Sequence, residues 1–576
     1  MDGAPKTRGA MRVELDLRSV PFSRFGSYFS FARLDGKEAV LGEGLYLRTH
    51  HYGGALVFKL EPYADGKPIP YELSTTPARI AITTEGAGRI EIVMADPSSI
   101  RVRGEGVSLR LEMPGERWRF TYELPGGAWG FDMPQSDAQV ALDMIGGALD
   151  MDAPWAQGPG FCFITTSIVA TLSPGPTGSF EAAIDDFVST WKRPGRAPFD
   201  SCAKEAAAAF TTWARGLPSV SAPRELTRDL AGYVNWSAVV RPYGNLTKPT
   251  MLMSKMSMWH VFGWDHVFTA IAHVVHDPEL AWDQFMIFAG HEDPFGKFPN
   301  NMNDRSISHT FANPPVHGWG LRRMEAANPS ILTGERLSDV YRHLSMWTTW
   351  WTDHRTWAGE ELPVYIHGFD SGWDNSTIFD KGVPLIAPDL AAYLALQLEV
   401  LSDLAGRLGK ADDAAHWQAK SERVISALLD ELWQDGEFVG KVLPSGTVSR
   451  CESLIRCMPI ILGKRLPKDV QVRLVETIRE HLTPWGLATE KTTSSRYQER
   501  GYWRGAIWAP TTLIVVSGLI EAGETHLART IADSFCAMCD KSGFAENFDA
   551  LTGAGEFDPA YTWTSSVYLI LASMTW

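Results

Sequence analysis

The feature that most constrains this chain is a change in the period of its apolar residues near position 200. Before that point apolar and polar residues alternate in short runs: Arg12–Leu17, Ala78–Thr84, Arg89–Met94, Ser99–Arg103 and Val107–Met113. Gly, Pro, Asp and Ser clusters separate them. Period two reads as half-buried antiparallel strands, and many short strands at near-regular spacing predict a β-sandwich. Beyond that point the period becomes that of a helix. Ala203–Arg215, Leu226–Val240, Trp264–His276, Leu337–Trp351, Leu390–Leu408, Ala411–Trp433, Val470–Leu482, Trp508–Ala522 and His526–Met538 read as amphipathic or buried helices. With weaker candidates there are roughly twelve, in pairs with short connections. Paired helices in this number predict an α-solenoid or a closed helical toroid, and the lack of a recurring repeat of roughly 33–47 residues disfavours the solenoid. The Pro-, Gly- and Arg-rich stretch Trp191–Phe199 reads as a linker, which divides the chain into a β domain at 1–195 and a helical domain at 196–576.

Charge and composition exclude several classes. With 53 Lys+Arg against 68 Asp+Glu the net charge is −15. Nucleic acid and anionic membrane surfaces repel such a chain, because backbone binding needs a basic footprint. Six cysteines, Cys162, Cys202, Cys451, Cys457, Cys536 and Cys539, are too sparse for a disulfide scaffold. No apolar signal region opens the chain and no run of about 18 apolar residues occurs, so a soluble cytoplasmic protein is expected. Oligomeric state is not legible.

The 22 tryptophans concentrate after residue 230, in and beside long connections: Met258–Trp264, His291–Gly320, Pro363–Pro384, Thr492–Trp508 and Gly543–Trp563. Irregular segments of this length in a compact domain are usually functional. Aromatic faces that stack on pyranose C–H groups, with carboxylates, amides and guanidinium groups for the hydroxyls, are what a sugar site needs. Tryptophan as inter-helix core is the alternative.

Two of these connections carry the chemistry: Gly368-Phe-Asp-Ser-Gly-Trp-Asp-Asn-Ser376 and Gly543-Phe-Ala-Glu-Asn-Phe-Asp549. The first resembles the general-acid segment of trehalases and of glycoside hydrolase family 63, and the second resembles their general-base segment. Between and before them, Gly263-Trp-Asp265, Gly296-Lys-Phe-Pro-Asn300 with Asn313-Pro-Pro315, and Tyr502-Trp-Arg-Gly-Ala-Ile-Trp508 follow the family's order of landmarks. The resemblance covers the helical half only. It implies an (α/α)6 barrel, preceded here by the predicted sandwich, with its site in loops at one barrel end. It further implies inverting hydrolysis of an α-glycosidic bond, with Asp374 as acid and Glu546 as base. Implied substrate contacts are Phe262, Trp264, Asp265, Asn300, Trp373, Trp503, Arg504, Gly505, Trp508 and Trp563. Burial against Trp373 would hold Asp374 protonated, while the base needs a wetter setting to stay ionised. The chain departs from the family pattern at Asp370, where Glu is frequent, at Asn313, where Gln is common, and at Ala506, where Pro is usual.

Each residue also has a plainer reading. Asp374 and Asp265 can cap helices, Glu546 can be a solvated loop acid, Arg504 can partner a carboxylate, and Asp370 competes for the acid's role. Cys536-Ala-Met-Cys539 is a lone CxxC within an apolar helix and reads as core. His273 and His276 lack a His-Glu-x-x-His context, and no phosphate loop, dinucleotide fingerprint or nucleophile elbow occurs. No cofactor or metal is called for. The expected substrate is a small α-glucoside, such as a disaccharide or glucosyl- or mannosylglycerate, cut by an α-glucosidase. A carboxylate-bearing aglycone would need a cation such as Arg305 or Arg504. The alternatives are a sugar epimerase working through paired histidines, a glycoside phosphorylase, and a non-catalytic sugar-binding protein.

Overall fold

The computed structural model describes residues 13–86, 88–115, 118–158 and 163–576; Arg12 and Cys162 lie outside them. The chain divides into two compact units. The first runs to Leu217 and takes in Gly232–Trp259 and Asn303–Ser306; the second holds Pro218–Ala231, His260–Met302 and Ile307–Trp576.

The first unit is built on two antiparallel sheets. One orders its strands Phe29–Leu34, Gly44–Thr49, Ala55–Ala64, Ser108–Glu112, Val169–Ser173 and Ala148–Asp152. The other runs Phe120–Leu124, Ala128–Met133, Ala138–Gly146, Ser179–Phe187, Ser99–Glu105, Arg89–Asp96, Arg79–Thr84 and Tyr71–Thr76. Phe58 of the first meets Phe131 of the second edge-on at 4.9 Å, so the alternating apolar faces close on one another as a sandwich. Four of the five expected strands form. The run at Arg12–Leu17 does not: Leu15 N–H bonds the Thr75 carbonyl at 2.9 Å, but Asp16 then turns the chain by accepting from Arg18, Ser19 and Val20 N–H groups. An Asp that bonds the backbone two residues on competes with a ladder.

Later segments belong to this unit because buried polar groups hold them. The ammonium of buried Lys255 donates to Ser23 Oγ (3.0 Å) and to the carbonyls of Ser27 and Ser237 (2.6 Å each). His51 lies between Asp304 (3.1 Å) and Asp186 (3.3 Å), which anchors Asn303–Ser306.

In the second unit six inner segments form a closed ring. Asp265–His273 packs on His317–Ala327, then Pro388–Arg407, Leu454–Arg465, Ala509–Glu521 and Thr562–Ala572, which returns to Asp265–His273. Pro278–Phe285, Glu335–His354, Ala411–Leu432, Lys468–Glu480 and Thr525–Ser542 pack outside it. This is an (α/α)6 barrel. Helices buried on every side must be apolar all round, and Ala509–Leu519 is buried at every residue. All nine expected helices are present, with ends shifted by a few residues. His317–Ala327 begins within a stretch expected to be irregular, and one ring position is a 3₁₀ segment, Leu454–Arg465, since Pro459 removes a donor an α-helix would need. Among the described residues no helix is long and apolar enough to cross a membrane.

Ring segments approach closely through glycine. A Cβ at Gly318 would lie 2.5 Å from the Cα of Gln397, whereas one at Gly406 meets nothing within 4 Å. Gly318→Ala therefore costs about 1–3 kcal/mol by overpacking, while Gly406→Ala gains about 0.5–1 kcal/mol from helix entropy. Urea unfolding of the two variants checks this; equal effects would mean the two segments are not in tight contact at Gly318.

Candidate active site

The segment Gly368–Ser376 is a chain of tight turns. His367 accepts from Phe369 N–H at 3.1 Å, the Ser371 hydroxyl donates to the Gly368 carbonyl at 2.6 Å, and Ser376 N–H bonds the Trp373 carbonyl at 2.8 Å. Gly372 is left-handed at φ +71°, and a Cβ there would come within 2.5 Å of Trp264, so the turn lies directly on that indole. Asp370 is fully buried and satisfied, accepting from Ala312 N–H (2.8 Å), Ile366 N–H (2.9 Å) and Arg355 (2.8 Å). It secures the loop and has no surface to offer a substrate. Asp374 caps no helix, since the next helical turn starts after Ser376. It is partly open, and burial pushes its carboxyl up to about 6.

Glu546 is held by Asp558, whose carbonyl accepts its N–H at 2.7 Å, and by Trp563, whose indole N–H bonds its carbonyl at 3.1 Å. It is no solvated loop acid: only 6% is exposed, and the Tyr502 hydroxyl donates to its Oε1 at 2.8 Å. Burial pushes its carboxyl up to about 7, helped by the charges of Asp558 and Asp374 and opposed by the Tyr502 bond. The wetter setting expected for a base is absent, because Glu546 is buried against Tyr502 and Trp563. Asp265 occupies the first turn of its helix after Trp264, is buried, and accepts from the Tyr561 hydroxyl at 3.3 Å. Burial raises its carboxyl well above the usual range, and Glu546 and Asp374 add to this, so the three carboxyls lie within one electrostatic field.

One turn joins the two loops. Asn375 accepts from Trp503 N–H at 3.0 Å through its side-chain oxygen and donates to the Gly501 carbonyl at 3.0 Å. Arg504 Nε donates to the Asn375 carbonyl at 2.8 Å, and its guanidinium pairs with Asp380. From the same turn Tyr502 reaches Glu546, while Ile507 and Phe548 exchange backbone bonds at 2.8 and 3.0 Å. Tyr502 has φ +63°, a left-handed conformation costing a residue with a Cβ about 1–2 kcal/mol.

The tryptophans behave differently from the expectation that they stack on sugar. Trp373, Trp503 and Trp508 are 0%, 1% and 0% exposed, and they spend their faces on each other, with Trp503 and Trp508 stacked at 3.9 Å and Trp373 against Trp503 at 4.9 Å. A ring with no accessible surface cannot touch a ligand, so these three back the site. Trp264 and Trp563, edge-on to one another at 6.0 Å, are nearly as buried. Exposed aromatic surface lies instead on Phe369 (44%), which contacts Phe311 at 5.0 Å, and on Phe557 (56%), edge-on to Tyr502 at 5.2 Å. Gly505 N–H bonds the Thr489 hydroxyl at 3.2 Å. Asn300 accepts from Asn313 at 2.9 Å through both its carbonyl and its side-chain oxygen and holds Gly263 N–H at 2.8 Å; Phe262 pairs with Asn301 in a short ladder. Arg305 belongs to the first unit, where it bonds Asp137 and Tyr243.

The fold gathers Asp265, Asp374, Glu546, the tryptophans and Arg504 as neighbours, and adds Tyr502, Tyr561 and Asn375, which the sequence reading passed over. Tyr502 and Asn375 lie within the quoted motifs, adjacent to residues singled out there. The His266–His317 pair, 3.2 Å apart, is buried. Cys536 and Cys539 are buried, with the Cys536 thiol pushed up to about 12, as a core position requires. Among the described residues no group of three metal-ligating side chains gathers.

The family model described as the mannosylglycerate hydrolase MGH1-like glycoside hydrolase domain matches residues 258–564, just over half of the chain. A mannosylglycerate hydrolase of Rubrobacter radiotolerans is 27% identical over 351 residues, covering 48% of this chain and 77% of that protein. One from Thermus thermophilus is 21% identical over 390 residues, covering 53% and 92%. Among solved structures, a family 63 mannosylglycerate hydrolase of Thermus thermophilus in complex with glucose aligns with a TM-score of 0.53 at 18% identity over 60% of this chain and 99% of that one. A bacterial glucoamylase complexed with acarbose aligns with a TM-score of 0.65 at 9% identity over 99% and 95%. These likenesses agree with the fold.

A carboxyl raised by burial destabilises the folded state wherever it is ionised. Glu546 therefore costs stability as pH rises from about 4.5 through about 7. Glu546→Gln is expected to raise stability at pH 8 by on the order of 2 kcal/mol and to leave it unchanged near pH 4. Chemical denaturation at both values checks this; a gain independent of pH would contradict the burial argument. With its ring of six segments, its gathered carboxyls and the family match over residues 258–564, the chain belongs to the mannosylglycerate hydrolase MGH1-like glycoside hydrolases of family 63.

Proposed function

We propose that this glycosidase inverts configuration at an α-linked sugar, with Asp374 as general acid and Glu546 as general base. The observation that carries the reading is the Gly501–Arg504 turn, which holds one loop through Asn375 and the other through Tyr502. An inverting enzyme needs two carboxyls at a set separation of roughly 6.5–9.5 Å, with room for water between. A rigid tie between their loops is a means of keeping such a spacing.

Both carboxyls are raised into the range where one proton can be shared at neutral pH. Burial holds Glu546 higher, at about 7 against about 6 for Asp374, and the Tyr502 hydroxyl works against that by favouring charge on Glu546; the proposed mechanism requires the proton on Asp374 once substrate is bound. Asp374 then protonates the leaving oxygen while Glu546 takes a proton from water on the opposite ring face. In this reading Asp265, bonded to the Tyr561 hydroxyl, adds to the electrostatic field of the two carboxyls, and the stacked indoles back the loops that carry them. Proton NMR of the purified protein with α-linked glucose disaccharides is expected to show the β-anomer first, with Asp374→Asn slower by about 10²–10⁴-fold. Appearance of the α-anomer first would overturn the reading.

The tyrosine bond lowers the carboxyl of Glu546, and the base must be ionised. Tyr502→Phe therefore moves the acid limb of kcat/KM toward higher pH by about one unit, the worth of one charge-assisted hydrogen bond. An unmoved limb would separate Tyr502 from the base.

The substrate class proposed is a small α-glucoside, either a disaccharide or a glycerate glycoside. The names of the Rubrobacter and Thermus relatives support the second. A glycerate carboxylate needs a cation, and the two foreseen in the sequence are engaged elsewhere, Arg305 with Asp137 and Arg504 with Asp380. Including glucosylglycerate and mannosylglycerate in the NMR panel decides between the two classes.

A further inference from the structure

A cavity lies among four of the ring segments, away from the carboxyl loops. It encloses about 270 Å³ and is lined by Trp319, Arg322 and Arg323, by Leu396 and Ile461, and by Arg465, Ser517 and Glu521. These come from four ring segments, His317–Ala327, Pro388–Arg407, Leu454–Arg465 and Ala509–Glu521. The helix that starts beside Trp508 rises about 1.5 Å per residue, so Ser517 and Glu521 lie roughly 12–18 Å along it from the carboxyl site. The cavity is therefore separate from that site.

Its charges are unequally satisfied. Arg322 and Arg465 share Glu399, at 3.0 and 2.6 Å, and Arg465 also donates to the Leu462 carbonyl at 3.2 Å. Arg323 has neither an ion pair nor a hydrogen bond among the described residues. Glu521 attracts it, but stands too far away to pair and is itself exposed to solvent. The Ser517 hydroxyl already donates to the Leu513 carbonyl. Arg323 is half-buried, and its guanidinium stays charged and carries a planar fork of donors that no acceptor among the described residues uses. The burial is enough to lower the Arg323 pKa despite the Glu521 charge.

We propose that this cavity binds a small oxyanion, a carboxylate or phosphate group of a polar metabolite, through the Arg323 fork, with Arg322 and Arg465 adding to the positive field. Leu396 and Ile461 supply an apolar wall, and Glu521 at the edge can accept from a hydroxyl or ammonium group on the same ligand. Such an occupant touches four of the six ring segments, so binding stabilises the barrel as a whole.

Thermal unfolding and isothermal titration of the full chain test this, with inorganic phosphate and succinate as probes and sodium chloride matched for ionic strength. The parent is expected to bind one probe at a single site and to gain thermal stability beyond the chloride control; which probe acts tells phosphate from carboxylate. Arg323→Gln weakens that binding by about tenfold or more, the worth of one charge-assisted pair. Arg323→Lys, which keeps charge but loses the fork, falls between, and glycoside hydrolysis by either variant is unchanged in ligand-free buffer. Equal stabilisation of parent and Arg323→Gln, or of phosphate, succinate and chloride, would overturn the proposal, leaving Arg323 as a counter-charge to the helix ends. Should Arg323→Gln not fold, absence of titration heat with both probes on the parent would overturn it equally.

Discussion

The arrangement around the carboxyls depends on one side chain, the amide of Asn375. Its two polar atoms are both used on the Gly501–Arg504 turn, accepting from Trp503 and donating to Gly501. That turn also carries Tyr502 onto Glu546. The two loops are thereby spaced by a short backbone turn and three side-chain hydrogen bonds. An amide is suited to this because it offers a donor and an acceptor in one rigid plane. The left-handed backbone at Tyr502 is a strain the clamp holds in place.

The tryptophans act one layer further out. Packed on each other at 3.9 and 4.9 Å, they form an apolar backing behind the carboxyl loops. Burial of this kind is what raises Asp374 and Glu546 toward neutral pH, where a carboxyl can both give and take a proton. The ring of inner segments is the support: apolar on every side, it fixes the helix ends from which the loops emerge. The same closed ring leaves Arg323 facing a cavity away from those loops.

Much of the fold was legible because it rests on local periodicity. The switch from period two to the helical period separates sandwich from barrel without any distance information, and nine helices follow from it. Where local rules compete the reading slipped. Asp16 diverts an alternating run by bonding the backbone, Pro459 converts one ring position to 3₁₀ turns, and His317–Ala327 hides among Gly and His residues that mark no clear face. At the site the motifs marked which loops matter, yet not which side chains face the cavity. The resemblance implied Trp373 and Trp508 as substrate contacts, but both are fully buried, whereas Phe369 and Phe557 hold exposed aromatic surface.

The sequence by itself determined the two fold classes, their order along the chain, and the order of the loops carrying Asp265, Asp374, Tyr502 and Glu546, because each is encoded within a few consecutive residues. Only the tertiary structure decided that Asp370 is saturated by Ala312, Ile366 and Arg355, that Arg504 serves Asp380 and Asn375, and that Glu546 is buried against a tyrosine. Those outcomes depend on partners that lie far apart in the chain, as Asn375 and Trp503 do at a separation of 128 residues. Whether a carboxylate ends as a proton donor or as a structural anchor is set by how many donors the fold brings to it, and spacing along a chain does not carry that count.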